Sequence, residues 1–208
     1  MLGILGGTFD PIHFGHLRPA LEVQQALELE EVRLIPLRDP PHRNRPQTSD
    51  DQRLSMLQAA IKGLPGFRID RQELERKGKS YTVETLRALR QEVGAKPICL
   101  LMGGDAFQQF HSWHRPDEIL QLAHLVVMQR PGDSIPPGTD NIVDSAEPLA
   151  IAPGGCILFQ PVTQLDISST SIRALIRNHR SPRYLLPDDV LAIIQTQQLY
   201  QQPPEVNS

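Results

Sequence analysis

His13 and His16 stand three residues apart in the stretch Gly6-Gly7-Thr8-Phe9-Asp10-Pro11-Ile12-His13-Phe14-Gly15-His16, directly after the apolar run Leu2 to Leu5. Once helical, that spacing sends both imidazoles from one face toward one point. The residues around them suit an anion. Gly6 and Gly7 let backbone N–H groups approach without a side chain in the way, and Thr8 adds a hydroxyl donor. A helix opening near His13 presents unpaired N–H groups and the positive end of its dipole. Gly15 keeps the surface between the histidines low enough for a nucleotide. Two imidazoles beside such a cradle read as donors to phosphate oxygens, their protonation favoured by the bound anion, and need not be bases. A plain tight turn and half of a metal site are the competing readings. No third ligand is visible for a metal, because no cysteine is near and Asp10 precedes a proline, where the chain is extended. A dinucleotide fingerprint fails: the spacing is not Gly-x-Gly-x-x-Gly, and the next apolar run, Val32 to Pro36, ends in Leu37-Arg38 rather than in an acidic residue for a ribose.

A second cluster lies near the other end of the chain, in Asp166-Ile167-Ser168-Ser169-Thr170-Ser171-Ile172-Arg173 followed by Ala174-Leu175-Ile176-Arg177. Hydroxyls just ahead of an apolar-periodic segment form a helix N-cap. Arg173 falls one turn beyond Thr170 on the same side, so hydroxyls, free N–H groups and a guanidinium converge at one helix start, a grouping that suits a polyphosphate. Cap and phosphate site both remain open on this segment alone.

The elements that must position these groups alternate along the chain. Strand-like runs fall at Leu2–Leu5, Val32–Leu37, Phe67–Asp70, Pro97–Met102 and Leu125–Met128, the last two almost wholly apolar, as buried parallel strands are. Between them lie helical patterns: one after His13, one capped by Ser49 with Leu54, Leu57 and Ile61, and one after Ser80-Tyr81-Thr82 with Val83, Leu86, Leu89 and Val93. Alternation of this kind predicts an α/β fold, a Rossmann-like doubly wound parallel sheet with helices on both faces, holding ligand beyond the carboxyl ends of the strands. The 208 residues make one domain, 1–200, with an irregular proline- and glycine-rich loop over 131–155 and a frayed tail over 201–208. A net charge of −3, from 21 basic and 24 acidic residues, argues against a nucleic-acid partner. Cys99 and Cys156 suit a reducing compartment. No run approaches the roughly 20 apolar residues of a membrane span, and no signal peptide is visible, so the expected location is cytoplasmic.

Taken together, the motifs resemble the nucleotidyltransferase superfamily with the His-x-Gly-His signature, here His13 to His16, paired with Ile-Ser-Ser-Thr-x-Ile-Arg, here Ile167 to Arg173. Within it the chain is similar to the bacterial nicotinate-nucleotide adenylyltransferases. The pieces that carry this run almost end to end: Gly6 to Pro11, Pro40-Pro41-His42, Ser80-Tyr81-Thr82, Gly103-Gly104-Asp105, Trp113, His124-Leu125 through Arg130-Pro131-Gly132, and Tyr184-Leu185-Leu186-Pro187. The resemblance implies adenylyl transfer from ATP to nicotinate mononucleotide, with Mg²⁺ carried by the ATP phosphates rather than by protein ligands. His16, His13 and Arg173 would be catalytic. ATP would lie against Gly6, Gly7, Thr8, Phe9, His13, Gly15, His16, Ser168, Ser169, Thr170 and Arg173. Nicotinate mononucleotide would meet Thr8, His42, Arg43, Tyr81, Thr82, Gly103, Asp105, Trp113 and Arg130, with Trp113 stacked on the pyridine ring. Pro116 departs from the bulky residue the family places after that tryptophan. His111 and His114, spaced like metal ligands, have no further partner and read as surface. The oligomeric state stays open, a homo-oligomer included. Rival readings are another acceptor, such as nicotinamide mononucleotide or phosphopantetheine, a cytidylyltransferase, a non-enzymatic nucleotide sensor, or a metal-dependent phosphohydrolase built on His13, His16, His111, His114 and Asp105. The last would leave the Ile167–Arg173 segment idle.

Overall fold

Every apolar run named above becomes a strand of one parallel sheet. The computed structural model describes residues 1–38, 46–76, 78–129 and 140–201. In chain order the elements are β1 (Leu2–Gly7), α1 (Phe14–Ala26), β2 (Glu31–Pro36), α2 (Asp50–Ala60), β3 (Phe67–Ile69), α3 (Gln72–Glu75), α4 (Thr82–Val93) and β4 (Ile98–Gly103). They continue with α5 (Gly104–Gln108), a 3₁₀ turn at Phe110–Ser112, α6 (Pro116–Leu122), β5 (His124–Gln129), β6 (Ile142–Val143), α7 (Glu147–Ile151), β7 (Ile157–Pro161), α8 (Ser169–Arg177) and α9 (Asp188–Thr196). Sheet order is β3-β2-β1-β4-β5-β7-β6, and every pairing is parallel. The order reverses between β1 and β4. A crevice opens at such a switch point beyond the strand ends, and here it lies between the turns that follow Gly7 and Gly103.

The two-residue period of the strands divides the core between the faces. Leu5, Leu34, Leu101, Val126 and Leu158 pack on one side with residues of α1, α2, α8 and α9; Ile4, Ile35, Leu100, Met102 and Val127 pack on the other with Val83, Leu86 and Leu89 of α4 and Ile119 of α6. Helices on both faces of a parallel sheet are the expected architecture. The expected capping box also forms, with Ser49 accepting from the Gln52 N–H and the Gln52 side chain accepting in return.

The expectation of an irregular loop over 131–155 needs correction in its described part. Ile142–Val143 adds a seventh strand beside β7, and Glu147–Ile151 is helical with Leu149 fully buried. The strand is too short to show alternation, and the helix begins Glu147-Pro148, where a proline fits the first turn yet reads in sequence as a breaker. Residues 131–139 lie outside the described segments, as do positions 202–208 of the expected tail. Among the described residues no helix is long and apolar enough to cross a membrane.

Candidate active site

Where β1 ends, the chain turns through Thr8 and Phe9 before α1 begins. Phe9 holds φ +50, and its ring folds back so closely that a Cβ on Gly7 would lie 2.7 Å from it. Gly7 is therefore required by the packing of Phe9, whose ring is 1% exposed. At Gly6 a Cβ would meet only the Leu37 side chain at 3.8 Å, which leaves the glycine that faces solvent open to a ligand.

His13 sits at the N-cap position of α1, in extended geometry, and His16 completes the first turn. Their rings stack with centroids 3.7 Å apart and planes tilted by 31°, and His16 meets the Phe9 ring edge-on at 5.2 Å. Both imidazoles thus share one face, as their spacing requires. The His13 ring is 4% exposed, and burial lowers its pKa to about 4, so it is neutral near pH 7 in the ligand-free protein. Protonation there awaits an anion. The buried Nδ1 of His13 and the buried Oγ1 of Thr8 have no hydrogen-bond partner among the described residues. Orphaned polar atoms lining one concavity mark a place for a polar ligand.

The neutral His13 has a pH signature. Its folded pKa lies below the unfolded value of 6.5, so the unfolded chain binds more protons between pH 6.5 and 4. Stability present above that window is lost as pH falls through it, by about 3 kcal/mol in all. Chemical denaturation of the parent and of His13→Asn from pH 7 to 4.5 checks this: the variant should lose less stability over that window, and parallel curves would remove His13 as the source.

The second cluster packs directly on the first. Ser168 caps α8 by accepting from the Ser171 N–H, and the Ser171 hydroxyl accepts in return from the Ser168 N–H. Ser169 donates its hydroxyl to the Pro11 carbonyl at 2.9 Å, and Arg173 Nη1 donates to the Asp10 carbonyl at 2.6 Å. A Cβ on Gly15 would come within 3.0 Å of both the His13 ring and the Ile167 carbonyl, so Gly15 admits the α8 approach as well as any ligand. Two segments more than 150 residues apart in sequence make one concavity. Ser169 and Nη1 of Arg173 are thus engaged with main-chain carbonyls of the chain itself. Thr170 remains exposed, its Oγ1 accepting a long 3.4 Å contact from Arg173, and the Arg173 Nε is buried without a hydrogen-bond partner among the described residues.

Across the crevice, β4 ends at Gly103, and Asp105 in the first turn of α5 curls back so that its Oδ1 lies 2.8 Å from where a Gly103 Cβ would be. Tyr81 occupies the N-cap position of α4 with Thr82 as the first helical residue. The half-buried Trp113 ends the 3₁₀ turn and rests on Phe110 at 5.8 Å, while the exposed His114 places its ring 4.6 Å from that of Tyr81. Pro116 takes the first position of α6. His42, Arg43 and Arg130 lie outside the described residues.

Two supporting residues carry no catalytic pattern in the sequence. Arg53 of α2 is fully buried, donates to the Thr8 carbonyl at 2.8 Å and pairs with Asp50 at 2.5 Å. Its only sequence signal is its spacing from Met56 and Leu57, which puts an arginine on the buried stripe of the helix. Asp10 receives Gln47 N–H, the Thr48 hydroxyl and the Tyr200 hydroxyl, so its carboxylate is occupied by donors rather than open to a metal. Among the described residues no group of three or more His, Cys, Asp or Glu could hold a metal ion. Thr8, His13, Thr170 and Arg173 bring hydroxyl, imidazole and guanidinium groups to the cradle, a set that fits phosphate oxygens.

The sequence matches the cytidylyltransferase-like family over residues 4–175. It is 47% identical over 209 residues to a protein of Methylococcus capsulatus named a probable nicotinate-nucleotide adenylyltransferase, covering 96% of this chain and 99% of that one. A Hahella chejuensis protein of the same name is 48% identical, with 95% and 94% covered. Among solved structures, the fold matches the Plasmodium falciparum nicotinic acid mononucleotide adenylyltransferase complexed with NaAD, with a TM-score of 0.74 at 16% identity and 96% of each chain covered. The same enzyme complexed with APC superposes with a TM-score of 0.72, also at 16% identity and 96% of each chain.

Proposed function

The chain belongs to the cytidylyltransferase-like family and, within it, to the nicotinate-nucleotide adenylyltransferases, and from that membership we infer that it moves the adenylyl group of ATP onto nicotinate mononucleotide. Nicotinate adenine dinucleotide and pyrophosphate are the products, in a step of NAD biosynthesis. The observation that carries the assignment to this site is the meeting of the His13–His16 helix start with the Ser168–Arg173 helix start in one donor-lined concavity.

The attacking group is a phosphate oxygen of the mononucleotide and is already anionic, so no general base or covalent enzyme intermediate is required. That oxygen bonds to the α-phosphorus of ATP as the bond from the α-phosphorus to the bridging oxygen breaks, and the electron pair leaves on pyrophosphate. What the chain supplies is alignment and donors where charge develops. His16 faces the α-phosphate, His13 the polyphosphate, and Thr170 with the remaining guanidinium of Arg173 the β- and γ-phosphates, beside Ser168 and Ser169. Gly6, Gly7, Thr8, Phe9 and Gly15 shape the ATP floor. Mg²⁺ on the ATP phosphates would offset the charge of the leaving group while keeping several waters of its own. Thr82 and the backbone near Tyr81 receive the nicotinate carboxylate, Gly103 and Asp105 the ribose, and Trp113 the pyridine face, with His42, Arg43 and Arg130 as further residues for the mononucleotide. The cytoplasm is the compartment this chemistry fits.

Pyrophosphate release from ATP, measured with nicotinate mononucleotide, nicotinamide mononucleotide and phosphopantetheine as acceptors, tests the assignment. Nicotinate mononucleotide should give the highest kcat/KM; a preference for phosphopantetheine would overturn the acceptor, and turnover with water alone would overturn the reaction class. In the same assay Trp113→Ala should raise the KM for nicotinate mononucleotide roughly ten- to a hundredfold, the usual worth of one aromatic stack, and leave that for ATP little changed. Equal effects on the two substrates would count against stacking.

A further inference from the structure

Asp10 is the most heavily engaged side chain near the cradle, and the chemistry above leaves it no direct part. Its carboxylate is 3% exposed. Oδ1 accepts the hydroxyls of Thr48 and Tyr200, each at 2.7 Å, and Oδ2 accepts the Gln47 N–H at 2.6 Å. Its main-chain oxygen receives Arg173. These partners belong to different working parts. Gln47 and Thr48 lead into α2, and Arg173 belongs to the polyphosphate end. Tyr200 arrives from beyond α9, held at φ +63 and 8% exposed. Burial and the adjacent carboxylate both push its phenol pKa up, so it stays a proton donor.

We propose that Tyr200 is a positioning residue for adenylyl transfer, acting through the Asp10 carboxylate to fix the cradle against both the Arg173 side and the Gln47–Thr48 side of the crevice. A buried carboxylate that loses a donor anchors its residue less firmly, and the residue anchored here is the one whose main-chain carbonyl receives Arg173. The hydroxyl of Tyr200 thereby helps hold residue 10, and with it the turn that leads into His13, from outside the catalytic groups. The proposal rests on the adenylyl-transfer reading, and the parent enzyme's own activity with ATP and nicotinate mononucleotide tests that reading separately.

Tyr200→Phe keeps the ring and deletes one donor; Thr48→Val deletes the other donor to the same oxygen with little change of shape. Each should lower kcat about tenfold, the expected effect of one hydrogen bond to a charged group, with both KM values within about threefold of the parent. The double variant should fall well short of the product of the two losses, because both act on one oxygen. Thr48→Ser, which restores a hydroxyl, should recover the turnover that Thr48→Val loses. Tyr200→Phe turnover within twofold of the parent would overturn the proposal, and so would losses that multiply. Should Tyr200→Phe fail to fold, the Thr48 pair decides alone: equal turnover in Thr48→Val and Thr48→Ser overturns it.

Discussion

Replacing His16 by alanine is expected to lower turnover by roughly 10²–10³ while the fold persists, the usual loss for one well-placed donor to a charge that grows in the transition state. The size follows from how the ring is held. His16 is clamped between the stacked His13 imidazole at 3.7 Å and the edge contact with Phe9 at 5.2 Å, so little reorganisation is needed when the α-phosphorus rearranges. Its backbone N–H already closes the first turn of α1 on the His13 carbonyl, at 2.9 Å, and that bond survives truncation. Rapid-quench measurement of the chemical step, beside circular dichroism of the variant, checks both halves. Turnover near that of the parent would take His16 out of the mechanism.

Arg173→Ala should be comparably damaging, lowering kcat/KM for ATP about a hundredfold or more, because one guanidinium serves two purposes. Nη1 braces the Asp10 carbonyl at 2.6 Å, while the rest of the planar fork borders the concavity beside Thr170. A lysine ammonium is a compact point charge and cannot reproduce both directions at once. Arg173→Lys should therefore recover less than a tenth of the parental efficiency. Parental efficiency in the lysine variant would mean that the charge alone matters and the brace does not.

What was readable in the sequence was local chemistry. The glycines, the histidine pair and the hydroxyl run each announce a helix start, and a helix start presents unpaired N–H groups. Three of the five runs, those of β1, β4 and β5, were legible as strands because burial on both faces leaves a nearly unbroken hydrophobic signature. Beyond those, α9 carries an apolar spacing through Val190, Leu191 and Ile194 that marks a packed helix and no particular chemistry. β7 is only partly apolar, Ile157-Leu158-Phe159-Gln160-Pro161, and ends in a proline that suggests a loop. The braces were not readable at all. Arg53 lies in the polar-looking helix Asp50-Asp51-Gln52-Arg53, and nothing in that string says that its guanidinium crosses to the Thr8 carbonyl. Ser169 and Arg173 read as ligand donors, yet part of their capacity holds the Pro11 and Asp10 carbonyls. Such contacts join residues that only the finished sheet brings together, so no window of sequence contains them.

The bond between Asp10 and Tyr200 spans 190 residues, and it gives the site a schedule during protein synthesis. A ribosome adds about 5–20 residues per second, so the cradle strand is made roughly 10–40 s before the tyrosine that completes its support. Late in that interval a nascent chain carries the histidine segment but lacks the last brace. On the proposed role of Tyr200, a product of premature termination upstream of position 200 would carry the recognisable motifs without that brace.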